Sequence, residues 1–152
     1  MDAVRERLEA AGLVLPEPPS ALGAYLPAVR AGALVFTAGQ LPMRDGALVA
    51  VGRVGEEVDE EAARACAAQC ALNALAAAAT ACDLTQVEGV VRLTAYVASA
   101  PGFRRQPAVA DGASEVLAAA FGEAGRHTRE AVGVAELPLG APVEVSAVLL
   151  LA

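Results

Sequence analysis

The last third of the chain carries the pattern that most restricts what it can fold into. Two runs alternate apolar and polar residues on either side of a turn rich in Pro and Gly, which predicts a β-hairpin; they span residues 129–137 and 143–147. Arg129 begins the first run, and Glu144 lies between two valines in the second. Because an unpartnered buried carboxylate costs free energy, the pattern suggests a site in which Arg129 holds a carboxylate ligand and Glu144 handles water or a proton. The alternative, a surface Arg and a Glu on the polar face of a half-buried strand, is the more common arrangement for a pattern of this kind.

The rest of the chain alternates helix-like and strand-like segments. The predicted elements are a helix at 2–11, a hairpin of 25–29 and 34–39, a strand at 48–51, a long helix at 56–82, a strand at 90–98 and a second helix at 110–121. This order predicts an α+β fold in which helices cover one face of a mixed sheet. A length of 152 residues is typical of one domain. We divide the chain into an N-terminal helix with a Pro-rich lead-in, residues 1–21, and the domain itself, residues 22–152.

Composition excludes some partners. The net charge is −7, the chain contains no Lys, and aromatic residues make up only 3%. Nucleic-acid binding needs clustered cations and benefits from stacking aromatics, so we do not expect it. The apolar fraction of 56% comes mainly from Ala, Val and Leu. It predicts a core of small side chains and apolar surface that subunit contacts would cover.

The cysteines predict neither disulfides nor a metal site. There are three, Cys66, Cys70 and Cys82, with no metal-ligand spacing. Cys66 and Cys70 are four residues apart on the long helix, so they share one face and behave as small apolar residues. An odd count, without a signal peptide or a membrane-length apolar run, points to the reducing cytoplasm.

Three ordered blocks resemble the RidA/YjgF family, also called the L-PSP endoribonuclease family. The C-terminal block reads Arg-x-Ala-Val-x-Val-x-x-Leu-Pro from Arg129 and continues to Val-Glu-Val around Glu144. Near the N-terminus, Tyr25 and the segment 37–42, Thr-Ala-Gly-Gln-Leu-Pro, are similar to the family's Gly-Pro-Tyr segment and its Ser-Gly-Gln-(Ile/Leu)-Pro block. The third block is Gln69 with Asn73 on the long helix. The resemblance runs from about residue 22 to the end of the chain.

The resemblance implies a fold, an assembly and a reaction. The family has a chorismate-mutase-like fold and forms homotrimers, and its members hydrolyse small enamines or imines to ammonia and a 2-keto acid, as 2-iminobutanoate/2-iminopropanoate deaminases do. By position, Arg129 matches the Arg that binds the substrate carboxylate and Glu144 the Glu that orients the attacking water. Tyr25 matches the Tyr that covers the ligand, while Gly39 and Ala131 lie at further ligand-contacting positions. No metal or organic cofactor is implied, because the substrate is already electrophilic.

Two positions depart from the family pattern. Ala38 stands where many members have Ser, so a hydroxyl that could bond the ligand is missing, and Ala131 stands where the family often has Cys. The second change matters less if that position acts through its backbone groups, which any residue supplies. The family's polar residue on the second helix has two candidates here, Asp111 and Ser114. His127, the only His, could act as an acid or base near Arg129, but a lone loop His is more often solvated.

Strand spacing adds a prediction about assembly. If the last two strands formed a hairpin, Glu144 would lie opposite Ala135, about 20 Å along the strand from Arg129 at roughly 3.3 Å per residue. A neighbouring subunit would then complete the site. Two alternatives remain beside imine hydrolysis: a trimeric binder of a small carboxylate metabolite without turnover, and the endoribonuclease activity of the family's older name, which the acidity of the chain disfavours.

Overall fold

The computed structural model describes residues 2–20 and 23–152. Its helices and strands are α1 (Asp2–Ala10), β1 (Ala28–Ala31), β2 (Leu34–Thr37), β3 (Met43–Arg44), β4 (Ala47–Leu48), α2 (Glu60–Ala78), β5 (Val87–Ala98), α3 (Gln106–Phe121), β6 (Thr128–Val134) and β7 (Val143–Leu151). Five of the strands form one mixed sheet in the order β1-β2-β7-β5-β6. The α+β class and the mixed sheet are confirmed. β3 and β4 form a separate two-stranded hairpin.

The predicted C-terminal hairpin is wrong. β6 pairs with β5 in parallel, and β7 pairs with β5 antiparallel, so β5 lies between them. β5, α3 and β6 form a crossover unit that places β6 at the edge of the sheet. The chain then passes over the end of β5, where Ser99 N donates to Val134 O and Ala98 N donates to Pro142 O. Alternation identified both strands, but it carries no information about which strand lies beside which.

The two long helices pack closely because their contacting residues are small. α2 is buried along most of its length, including Cys66 and Cys70; it packs on β7 and β2, and α3 packs beside it on β5 and β6. A Cβ at Gly112 of α3 would lie only 2.9 Å from the carbonyl carbon of Arg64 on α2, so glycine permits this approach. The expected core of small side chains is confirmed. α1 adds Val4 and Leu8 to the same core.

Several predicted boundaries were wrong by a few residues. The long helix begins after Asp59, whose side chain accepts from Ala62 N at 2.8 Å as an N-cap, rather than at residue 56. The second helix begins at Gln106, four residues before its predicted start, because Pro107 fits the first turn of a helix. β5 begins at Val87 rather than at residue 90, and a bulge between Val90 and Arg92 breaks its alternation, so that Val90 and Leu93 are both buried. The strand expected at 48–51 is only Ala47–Leu48.

Candidate functional site

One pocket contains three of the residues that the sequence identified. Tyr25, Gly39 and Glu144 line a cavity of about 560 Å³ next to the segment that follows β2. Because β7 alternates, Val143 and Val145 are buried beneath the helices and Glu144 lies on the opposite face of the sheet. The remaining wall comes from the N-terminal lead-in, the segment after β2, the turn before β7 and α2; it includes Pro16, Glu17, Pro19, Ser20, Gln40, Asn73 and Leu139.

The Glu144 carboxylate is partly desolvated. Burial raises the pKa of Glu144 above its usual value, and no other cause contributes to that shift. Glu17 is the other charged side chain lining the cavity, and over the described residues of the lining there is no cation. A carboxylate in such surroundings is a stronger base than one in water, because its charged form is less well solvated.

The segment after β2 brings Gly39 against this carboxylate. Phe36 pairs with Val148, but Gln40 exchanges both backbone hydrogen bonds with Val145, at 2.8 and 3.0 Å, so β2 carries one extra residue here. The Thr37 hydroxyl oxygen accepts from Ala147 N within the irregular stretch. A Cβ on Gly39 would overlap Glu144 Oε2 and lie 2.9 Å from its Cδ. Only glycine leaves room for the carboxylate in this position.

Two amides of α2 hold the wall of the pocket. Asn73 Nδ2 donates to the carbonyls of Leu41 at 2.9 Å and Met43 at 3.0 Å, and Gln69 Nε2 donates to Asn73 Oδ1 at 3.1 Å. Gln69 is 92% buried. The polar pair that the sequence identified on the long helix therefore fixes the segment that carries Gly39 and Gln40.

Arg129 lies in a different place. Its Nη1 donates to Asp111 Oδ1 at 2.8 Å and to Ser114 Oγ at 3.1 Å, both on α3. Arg129 and Ser114 line a second cavity of about 320 Å³, together with Arg126 and His127. The two candidates for the family's polar residue on the second helix thus both contact the candidate carboxylate-binding Arg.

His127 is not the solvated loop residue that its position in the sequence suggested. It is half-buried, its Nε2 lies 2.9 Å from Ser114 Oγ, and its Nδ1 lies 2.7 Å from the carbonyl oxygen of Gly125. The sequence places His127 near Arg129 but does not indicate the Ser114 contact, because Ser114 lies on α3, 13 residues before His127 in the chain.

Arg129 and Glu144 do not meet within one chain. In the strand register, Arg129 is level across the sheet with Leu93 of β5 and Ala147 of β7, and both of these residues are buried under the helices. Glu144 pairs with Tyr96 of β5 and lies on the open face. Residues level with one another across a sheet share a face. Glu144 does not lie opposite Ala135 as the predicted hairpin required; Arg129 and Glu144 are separated because their side chains lie on opposite faces of the sheet.

Ala131 presents its backbone to the free edge of the sheet. Ser99 N donates to Val134 O, so the backbone N–H and C=O groups of Val134, Val132 and Glu130 point towards β5. Ala131, at the alternate position, points its N–H and C=O outwards. Glu130, the next residue along β6, lies on the face opposite to Arg129.

Residues 2–20 and 23–152 contain neither a metal-binding cluster nor a membrane-spanning helix. In that part of the chain no group of three His, Cys, Asp or Glu side chains could hold a metal ion. None of the helices described there is long and apolar enough to cross a membrane.

Comparison with known proteins gives consistent matches. Residues 5–150 match the family described as "YjgF/chorismate_mutase-like, putative endoribonuclease". Protein TCP17 of Trypanosoma cruzi is 40% identical over 151 residues, which cover 96% of this chain and 92% of that protein. The crystal structure of Atu1372 from Agrobacterium tumefaciens, of unknown function, is 40% identical with a TM-score of 0.90, over 99% of this chain and 94% of that one. RidA from the Antarctic bacterium Psychrobacter sp. PAMC 21119 is 28% identical with a TM-score of 0.59, over 89% and 94%.

Proposed function

We propose a function from one premise: this chain belongs to the YjgF/chorismate-mutase-like family, the RidA/YjgF proteins. We infer that it hydrolyses small reactive enamines or imines derived from amino acids, releasing ammonia and a 2-keto acid. The observation that carries this proposal is Glu144, a partly desolvated carboxylate that faces a pocket of about 560 Å³ beside Gly39.

The reaction assigns Glu144 proton transfers in two stages. The carboxylate accepts a proton from water as the water oxygen bonds to the C=N carbon of the imino acid, and it gives that proton to the nitrogen, which forms a carbinolamine. It then takes the proton of the new hydroxyl and gives it to the same nitrogen as the C=O bond forms and the C–N bond breaks, so that ammonia leaves with a 2-keto acid as the second product. The raised pKa of Glu144 suits both steps, because a general base and acid works best when its pKa is close to the working pH. The substrate carbon is electrophilic already, so the proposal requires no metal or organic cofactor.

The substrate carboxylate is assigned to Arg129 of a neighbouring copy. Arg129 donates from Nη1 to Asp111 and Ser114, which leaves the Nη2 and Nε hydrogens to bind the ligand carboxylate. Because Arg129 and Glu144 lie on opposite faces of one sheet, a second subunit has to bring the two halves together. The outward N–H of Ala131, on the edge strand, supplies a further donor to the same ligand.

The open face of the sheet supports a homotrimer. Val29, Phe36, Val132 and Leu150 lie on strands of that sheet and are between 36% and 49% exposed. Tyr25, which lines the Glu144 cavity, is 60% exposed. Apolar surface of this kind is typical of subunit contacts, and a neighbouring copy would cover it and close the pocket over Tyr25.

Ala38 favours one second candidate, a protein that captures a small carboxylate metabolite without converting it. A Ser hydroxyl is absent at this position beside Gly39, which removes a possible bond to the reacting group. The family's older ribonuclease activity is the third outcome that an assay has to separate, and the net charge of −7 opposes it.

Three parallel assays on the purified protein distinguish these functions. Ammonia release is followed from a freshly generated imino acid, affinity is measured for the matching 2-keto acid, and cleavage is tested with a short RNA. We expect ammonia release well above the spontaneous rate. Keto-acid binding without faster ammonia release would favour the binder, and RNA cleavage alone would contradict both.

A further inference from the structure

His127 is the only histidine of the chain, and its hydrogen bonds determine its neutral form. The Gly125 carbonyl oxygen can only accept, so His127 Nδ1, 2.7 Å away, carries a hydrogen. A neutral imidazole has one N–H, so Nε2 then accepts. The Ser114 hydroxyl, 2.9 Å away, must be the donor to it.

The Ser114 hydroxyl is therefore fully committed while His127 is neutral. Its oxygen accepts from Arg129 Nη1 at 3.1 Å, and its single hydrogen points to His127. An imidazolium donates from both nitrogens. Ser114 would then accept from His127 as well as from Arg129, and its own hydrogen would be released from the imidazole into the cavity that Ser114, His127 and Arg129 share.

We propose that His127 is a positioning residue for the anion that Arg129 binds: when His127 takes up a proton, the Ser114 hydroxyl turns from the imidazole to the ligand. An anion at Arg129 then gains one hydrogen bond from Ser114 and the attraction of a nearby positive charge. The ligand class is a small carboxylate. Binding should strengthen as the pH falls, because the protonated form of His127 is the one that favours the anion.

The charged groups on the elements next to His127 do not produce this response. They are Arg129 of β6, Asp111 and Glu115 of α3, Arg64 of α2, and Glu123 and Arg126 of the turn between α3 and β6. Carboxylates and guanidinium groups keep their charges between about pH 5.5 and 8, whereas an imidazole titrates there. Glu144 belongs to the other cavity, but it faces the same ligand in the assembled site, so its titration has to be removed from the test.

Nuclear magnetic resonance of the wild-type protein provides the first test. With a single histidine, the two ring nitrogens give one unambiguous set of signals. We expect the Nδ1–H tautomer at high pH, and we expect pyruvate to move the midpoint of the His127 titration to higher pH. The Nε2–H tautomer, or a midpoint that pyruvate leaves unchanged, would overturn the proposal.

Binding of pyruvate to variants provides the second test, and this inference rests on the anion role of Arg129 within the proposed function. In a Glu144→Gln protein, pyruvate should bind roughly tenfold more tightly at about pH 5.5 than at about pH 8. Adding His127→Gln, which keeps hydrogen-bonding capacity but cannot titrate, should reduce that change to less than about twofold. A response that survives His127→Gln contradicts the role of His127 alone. Absence of pyruvate binding in every form, wild type included, contradicts the anion site and the proposed function with it.

Discussion

Arg129 and Glu144 occupy opposite faces of one sheet, with β5 between their strands. Arg129 turns towards α3, where Asp111 holds it at 2.8 Å, and Glu144 turns towards the open face. Each residue lines its own cavity. A ligand that uses both side chains must therefore contact two copies of the chain.

Subunit mixing should restore activity to two inactive variants. Arg129→Ala removes the anion half of every site and Glu144→Ala removes the water-activating half, so each variant alone should be inactive. Mixed trimers contain some interfaces with both residues intact, and these should regain part of the wild-type rate. Light scattering should give about three times 15.2 kDa at micromolar concentration. A monomeric mass would end the trimer proposal, and confirmed mixed trimers without recovery would contradict the shared site.

Arg129→Lys should lose most of the affinity for a carboxylate ligand although the charge remains. An ammonium cannot reproduce the planar pair of donors that binds a carboxylate bidentately. We expect the Kd for pyruvate to rise at least tenfold in a calorimetric titration. Arg104→Lys, in the exposed loop before α3, is the matched control and should leave Kd unchanged. A Kd for Arg129→Lys within about threefold of wild type would show that Arg129 is not the anion clamp.

Gly39→Ala should impair the site more than the fold. The new Cβ would overlap Glu144 Oε2, and the carboxylate is the flexible end of a side chain that can move aside. Unfolding temperature should change little, whereas kcat/KM for imine hydrolysis should fall by at least tenfold because the base is displaced. At Gly89 an added Cβ meets only Leu150 Cβ, at 4.0 Å, so Gly89→Ala is a suitable control. Equal activity of the two variants would argue against the close fit of Glu144 and Gly39.

Glu144→Gln should stabilise the protein at neutral pH. The pKa of Glu144 is raised by burial in the folded state, so its stabilising contribution is present at low pH and is lost as the pH rises through the folded pKa. Gln has no charge to desolvate and avoids that loss. We expect Tm to rise by roughly 1–3 °C at pH 7, a small effect because the side chain is only partly buried. The difference should vanish at about pH 4. Glu88→Gln, on the exposed side of β5, should show no such pattern.

Local sequence patterns predicted where the helices and strands lie along the chain better than they predicted which strands pair with each other. Alternation around Glu144 identified β7, and the helix-like segment 56–82 identified α2, although the helix begins only after Asp59. Neither pattern could show that β5 separates β6 from β7, because pairing depends on the crossover through α3 and on the turn over the end of β5. The bulge after Val90 could not be predicted for a similar reason, because a bulge is defined by the pairing of a strand with its neighbour.

The sequence predicted which residues belong to the candidate site but not how those residues are arranged in space. The motif positions of Tyr25, Gly39 and Glu144 proved to share a cavity. The hydrogen bonds from Arg129 to Asp111 and Ser114 were not foreseen, since contacts across 15 to 18 residues have no local signature. Pro16 and Glu17 of the N-terminal lead-in also line the Glu144 cavity, and no local pattern in the sequence indicates this contact.

The most direct test of the account is the rate of imine hydrolysis with and without the Glu144 carboxylate. Imino acid is generated in situ, and keto-acid formation is measured above the spontaneous rate for wild type, Glu144→Gln and the control Glu88→Gln. If Glu144 activates the attacking water, Glu144→Gln should lower kcat/KM by about a hundredfold or more, while Glu88→Gln matches wild type. A folded Glu144→Gln protein that hydrolyses the imine at the wild-type rate would contradict the account.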